Sequence, residues 1–245
     1  MITLTDIHKR FDDQHVLHGI TARFEEGKTN LIIGRSGSGK TVLLRCIVGL
    51  LTPDRGEVLY DGRNIHHLSK RDSTLLRQEM GMLFQGAALF DSMNVLRNVL
   101  FPLEMFSSKT SRDQLDRARF CLDRVGLIDA EKKMPSELSG GMQKRVAIAR
   151  AIALEPRYLF CDEPNSGLDP ISSRIIDRLI SDITHEYGIT TIVNTHDMAS
   201  VRNIGEQILF IHEGNAEWTG TSDDLATTPS RHLQEFLDIK GDPHT

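Results

Sequence analysis

The stretch Gly34-Arg35-Ser36-Gly37-Ser38-Gly39-Lys40-Thr41 decides how this chain is read. It meets the pattern G-x-x-x-x-G-K-[ST] at every fixed position. Before it, Leu31-Ile32-Ile33 is an apolar, β-branched run that reads as a buried strand. After it, Thr41 to Val48 reads as a helix that Gly49 ends. A Gly/Ser-rich turn arising by chance would not bring both neighbours with it. Glycines let successive backbone N–H groups turn inward, and the resulting concavity holds anionic oxygens. The helix that starts there adds its positive dipole end. Lys40 is placed to reach β- and γ-phosphates, and the Thr41 hydroxyl to ligate Mg²⁺.

Working outward, the segments around this loop alternate between strand and helix. Ile2, Leu4 and Ile7 mark one strand and Ile20, Ala22 and Phe24 another, with Phe11 to Leu17 read as a polar loop between them. Glu57 to Tyr60 leads into a tight turn at Asp61-Gly62, and Met80 to Phe84 is an apolar strand ending at Gln85. Asn94 to Val125 turns helical, with polar breaks at Ser107-Ser108 and Thr110-Ser111. Met142 to Leu154 and Ile171 to Glu186 are further helices; Tyr158 to Cys161 and Thr190 to Asn194 are short strands. Glu213-Gly214-Asn215 joins two more strands as a hairpin. The alternation implies an α/β fold with a mainly parallel sheet covered on both faces, interrupted by a helical insertion.

The 245 residues suffice for one large domain or two small ones, and 39% apolar with 26% charged residues is ordinary for a globular chain. A net charge of −5 and the lack of a basic stripe speak against nucleic acid as a partner. No apolar run approaches membrane-spanning length, and no signal-peptide pattern opens the chain. Cys46, Cys121 and Cys161 are far apart, which suggests neither a disulfide framework nor a zinc site. Cys46 and Cys161 lie in apolar contexts and read as core residues of a reduced, cytosolic protein.

A second chemical feature closes the strand Tyr158-Leu159-Phe160-Cys161, which delivers Asp162 and Glu163 at its C-terminal end. Ligands of open α/β sheets sit at such ends. Successive strand residues point to opposite sides, so the two carboxylates need not share a role. Asp162 suits Mg²⁺, and Glu163 suits a general base that polarises water. For the pair alone, an exposed acidic strand end is the competing explanation. The third feature is Leu138-Ser139-Gly140-Gly141-Met142, where Ser139 caps a helix and two glycines permit close approach.

Taken together, these motifs resemble the ATP-binding cassette (ABC) ATPase family over nearly the whole chain. The phosphate loop matches Walker A, Leu159 to Asp162 matches Walker B, and Leu138 to Met142 matches the signature LSGGQ. Gln85 matches the Q-loop, Asp169 the D-loop, and His196 in Asn194-Thr195-His196-Asp197 the switch histidine. Met142 departs from the usual Gln. The resemblance implies a P-loop NTPase (RecA-like) core with an antiparallel β subdomain and an inserted helical subdomain. Its expected boundaries are 1–86 and 155–245 for the core and 90–154 for the helical part, within a single ABC ATPase domain. It implies Mg-ATP as cofactor, held by Gly34, Arg35, Ser36, Gly37, Ser38, Gly39, Lys40 and Thr41, with the Arg35 side chain read as solvated. It implies catalytic roles for Glu163, His196, Gln85 and Lys40, and metal contacts from Thr41, Gln85 and Asp162. Phe11 falls where the family stacks adenine on an aromatic, a contact of roughly 1–3 kcal/mol.

The resemblance further implies head-to-tail pairing with a second copy. Ser139, Gly140, Gly141 and Asp169 of one copy would then complete the site around Lys40 of the other. Only a short helical insertion stands where chromosome-maintenance relatives carry coiled coils, so a transport subunit paired with an integral-membrane permease is implied. Leu89, Phe90, Val95, Leu96, Val99 and Phe101 either line a groove for a permease helix or form helical core. The run Phe84 to Val95, the signature with its Met142, and Gly167-Leu168-Asp169-Pro170-Ile171 are similar to Mla-type phospholipid transport ATPases, among which Met in that place is common. That similarity implies lipid-binding and STAS-domain partners, and a peripheral position on the cytoplasmic face of a bacterial inner membrane. A cassette for an amino acid or a metal chelate is the alternative. Leu233, Phe236 and Leu237 form a C-terminal apolar patch that either caps this chain's own core or docks on a partner.

Overall fold

The computed structural model describes residues 1–241, with side chains through residue 237. It opens with β1 (Ile2–Phe11) and β2 (Gln14–Phe24), followed by β3 (Thr29–Ile33) and α1 (Lys40–Ile47). Next come β4 (Arg55–Tyr60), β5 (Arg63–Asn64), α2 (Lys70–Gln78) and β6 (Met80–Leu83). The helices α3 (Val95–Phe106), α4 (Ser111–Arg124) and α5 (Gly140–Ala151) stand between β6 and β7 (Tyr158–Asp162). The chain then runs through α6 (Pro170–Tyr187), β8 (Thr190–Thr195), α7 (Met198–Ile204), β9 (Gln207–His212), β10 (Asn215–Gly220) and α8 (Arg231–Gly241).

The main sheet has the order β10-β9-β3-β8-β7-β6. The strands from β9 to β6 pair parallel, and β10 returns antiparallel at one edge. A separate sheet, β2-β1-β4-β5, is antiparallel throughout. The parallel strands are buried on both faces, which is why β3 and β8 read as unbroken buried runs. Because strand residues alternate sides, the main sheet serves two cores. Ile32, Phe160, Ile192 and Leu209 face α1 and the antiparallel sheet. Leu31, Ile33, Leu159, Cys161, Val193, Ile208 and Phe210 face the other way, toward α5, α6, α7 and α8.

Several expectations change. The stretch read as a polar loop from Phe11 to Leu17 is largely strand. β1 and β2 pair out to Phe11↔Gln14, and only Asp12-Asp13 turns the chain. Apolar periodicity ends at Ile7 there because the outer half of the hairpin is largely open to water. Its backbone ladder continues regardless. Val95 and Val99 are fully buried core residues and line no groove, whereas Phe90 and Phe101 meet at 4.7 Å between ring centres. Those two rings line a recess of about 290 Å³ with Met80, Met82, Phe84 and Leu154. At the C-terminus, Leu233 and Phe236 are buried in this chain's own core, Phe236 against Phe210 at 5.5 Å. The partner-docking reading of those two residues is therefore set aside. All three cysteines are buried. Burial pushes the Cys46 and Cys121 thiols up to about 11 and Cys161 up to about 12, so they stay protonated.

Candidate nucleotide site

Four parallel strands deliver polar residues to one end of the sheet. β3 runs into Gly34, β6 into Gln85, β7 into Asp162 and Glu163, and β8 into His196. A cavity of about 510 Å³ opens there, lined by Ser36, Gly37, Gly39, Lys40, Thr41, Gln85, Glu163 and His196, with Val16 and Val42 as apolar wall.

The phosphate loop is shaped by glycines at two points. Gly34 has φ 153°, and a Cβ there would stand 2.3 Å from the Ile211 carbonyl oxygen. Gly39, at φ 103°, caps α1, and a Cβ there would lie 2.9 Å from a Leu17 methyl. The loop also leans on the β9–β10 hairpin, whose Gly214 N–H donates to the Ser38 carbonyl at 3.1 Å. Lys40 arches back over the loop, donating from Nζ to the Gly34 and Arg35 carbonyls at 2.9 and 3.0 Å. The Ser38 Oγ is buried without a hydrogen-bond partner. Gly34, Arg35 and Ser38 thus form the back of the loop, and Arg35 is exposed as expected.

Glu163 and His196 meet directly, with His196 Nδ1 at 2.8 Å from the Glu163 carboxylate. Glu163 holds φ 49°, a left-handed conformation disfavoured for a residue with a side chain. The Glu163 N–H donates to the Asn194 carbonyl at 2.9 Å, which fixes that turn against β8. Asp162 is half-buried, and burial raises its pKa above the ordinary carboxylate value, opposed by a hydrogen bond from Asn194. Asn194 Nδ2 donates to Asp162 Oδ1 at 2.6 Å and to Thr41 Oγ1 at 3.3 Å. One amide therefore brings the Thr41 hydroxyl and the Asp162 carboxylate together. Both donors are oxygens, the set that suits a hard cation such as Mg²⁺. The Gln85 amide lines the same cavity and donates to Ser166 Oγ at 3.3 Å.

The remaining expected residues lie elsewhere. Ser139 caps α5, accepting from the Met142 N–H at 3.3 Å, and is exposed. Asp169 caps α6, accepting from the N–H groups of Ile171 and Ser172 at 2.9 and 3.0 Å. The Ser172 hydroxyl adds a bond of 2.6 Å and is the main reason the Asp169 pKa is lowered. A Cβ on Gly141 would lie 3.2 Å from that hydroxyl, and one on Gly140 would lie 3.5 Å from a Leu168 methyl. The signature and the start of α6 therefore form one surface. None of Ser139, Gly140, Gly141 and Asp169 lines the cavity around Lys40. Phe11 ends β1, 42% exposed, with Lys9 Nζ at 5.5 Å from its ring centre, and it too stands outside the cavity wall.

Sequence reasoning missed Asn194 and Val16. Nothing in the sequence marked Asn194, because β8 also carries Thr190, Thr191 and Thr195; only its complete burial in the fold shows that it needs partners. Val16 fell in the stretch mistaken for a loop.

A family model described as ABC transporter matches residues 17–166. The chain is 38% identical over 238 residues to the intermembrane phospholipid transport system ATP-binding protein MlaF of Escherichia coli (strain K12), spanning 97% of this chain and 88% of that protein. It is also 38% identical over 239 residues to the methionine import ATP-binding protein MetN of Clostridium tetani (strain Massachusetts / E88), spanning 97% and 74%. Among solved structures it is similar to the dimeric post-hydrolysis state of the ATP-binding cassette MJ0796 bound to ADP and Pi. That match has a TM-score of 0.81 and 31% identity, covering 91% of this chain and 99% of the other.

Proposed function

This chain belongs to the ABC transporter family, and from that premise we propose that it is the ATP-hydrolysing subunit of a transporter that moves phospholipids between bacterial membranes. Hydrolysis of ATP is the activity of the family's cassettes. The observation that carries the catalytic reading is the Glu163–His196 pair, 2.8 Å apart on the cavity that Lys40 and Thr41 also line. Glu163 orients and deprotonates the attacking water. His196 holds the Glu163 carboxylate in place and bonds the γ-phosphate. Lys40 moves from loop carbonyls to phosphate oxygens, and the main-chain N–H groups of the loop and of the first turn of α1 supply further donors. Thr41, Asp162 and Gln85 would hold Mg²⁺, which would neutralise charge on the phosphates. Phe11, exposed at the end of β1, offers a face for adenine.

A triphosphate needs donors on every side, and one chain surrounds only part of it. Ser139, Gly140, Gly141 and Asp169 lie on a separate surface, which supports their completing the site of a second copy. The cassette core would be 1–86 and 155–245, and the helical part 90–154. The recess beside Phe90 and Phe101 is the surface proposed for an integral-membrane permease. No helix among the described residues is long and apolar enough to cross a membrane. Membrane location on the cytoplasmic face would come from that partner. The Phe84–Val95 run and Met142 favour the phospholipid reading, with Mla-type lipid-binding and STAS-domain partners. The equally identical methionine-import relative supports a second reading, an amino-acid cassette. Identifying the permease that co-purifies with the chain, then assaying lipid or amino-acid movement in vesicles, separates the two.

The catalytic test is Glu163→Gln. The variant is expected to bind Mg-ATP and accumulate as a closed dimer, with kcat lowered about 10²–10⁴-fold. Turnover at the wild-type rate would overturn the assignment.

A further inference from the structure

Helix α5 begins at the signature and carries two cations, buried Lys144 and half-buried Arg150, that reach into the loops after β6 and β7. Lys144 is only 4% exposed. Its Nζ donates to the Gln85 carbonyl, and the Phe84 and Glu163 carbonyls each lie 3.5 Å from it. One ammonium therefore joins the main chain after β6 to the main chain after β7. Farther along α5, Arg150 donates to the Ala87 and Ala88 carbonyls at 2.9 and 2.8 Å. The segments so held are strained: Ala87, Ala88 and Glu163 have φ of 59°, 50° and 49°. Such conformations persist only where the surroundings over-determine them. An apolar side chain of similar length would fill the Lys144 position without burying a charge, so burial of an ammonium among carbonyl dipoles is not explained by packing alone. Burial also drives the Lys144 pKa down.

We propose that Lys144 is a positioning residue for hydrolysis: it ties the main chains of Gln85 and Glu163 to the signature helix, so that the water-orienting carboxylate is set by where α5 sits. This rests on the reading of Glu163 as the general base. Lys144 touches neither nucleotide nor water in this scheme. Its loss should leave nucleotide affinity alone and misplace the base, and small misplacements of a catalytic group are costly in rate.

The test uses the full chain. Lys144→Met is expected to lower kcat at least about tenfold while KM for ATP stays within about twofold. The double variant Glu163→Gln/Lys144→Met should still form the ATP-dependent dimer. Lys144→Ala should regain kcat in methylammonium chloride and not in equal sodium chloride, because the small cation replaces the missing donor. Should Lys144→Met fail to fold, Lys144→Gln, whose amide can donate to one carbonyl, carries the same measurement. A wild-type kcat in Lys144→Met, a rise in KM matching the fall in kcat, or no difference between the two salts would overturn the role. A wild-type chain with no ATPase activity would overturn the function itself, and the Lys144 role with it.

Discussion

Lys40 spends its hydrogen bonds on the Gly34 and Arg35 carbonyls of its own loop, and a phosphate competes for the same ammonium. The loop is shaped to receive that competitor, because Gly34 and Gly39 hold conformations and approaches that no side chain would tolerate. Lys40→Ala is therefore expected to fold yet lose nucleotide binding. Wild-type protein should gain about 2.7 kcal/mol of stability at a hundredfold excess of Mg-ATP over Kd, and thermal unfolding of the variant should not respond to nucleotide. An undiminished shift in Lys40→Ala would refute that role. At this scale the motif residues were legible from their spacing alone. Asn194 and Lys144 were not, since each acts on groups far away in the chain. Asn194 reaches Asp162 and Thr41, and Lys144 reaches Gln85 and Glu163.

Elements differ in how much of themselves they write into sequence. α6 buries one face, including Ile176, Ile180 and Ile183, and α3 shows a similar run, so their periodicity is plain, whereas α5 is buried on most of its surface and is marked by its apolar content. α2 buries only Leu76 and α7 spans a single short segment, and neither was expected. The start of α3 is fastened by a residue whose role no pattern announces. Asn98 is fully buried; its amide donates to the Phe90, Met93 and Asn94 carbonyls and accepts from the Phe90 N–H at 2.8 Å. Two of those carbonyls have other partners, since Phe90 accepts from Met93 N–H and Asn94 from Asn98 N–H. Removing the amide strands chiefly the Phe90 N–H and the Met93 carbonyl. Asn98→Ala is expected to cost about 2–4 kcal/mol in a urea titration, and to loosen the Phe90 edge of the apolar recess. A change below about 0.5 kcal/mol would show that water satisfies those groups without the side chain.

For the whole molecule, the decisive arrangement is two separate surfaces, which the proposed function joins into one site across a pair of copies. The phosphate loop, Glu163 and His196 gather at the strand ends, while Ser139, Gly140, Gly141 and Asp169 form a separate surface on α5 and α6. Two inactive variants should then rescue one another. Lys40→Ala and Ser139→Arg are each expected to lack ATPase activity, and mixing them should restore it. The mixed pair keeps one site with an intact Lys40 facing an intact Ser139. Continued inactivity after mixing, with heterodimers demonstrated, would point to a site contained within one chain. The sequence alone determined the α/β class, the phosphate loop, the carboxylate pair and the signature, because each depends on residue types at fixed short spacing. Only tertiary structure decided that Asp162 and Thr41 share an amide, that His196 meets Glu163, that Lys144 is buried beneath both loops, and that Leu233 and Phe236 cap this chain's own core. Those contacts join residues far apart in the chain, where local periodicity carries no information and sheet order together with helix packing sets who meets whom.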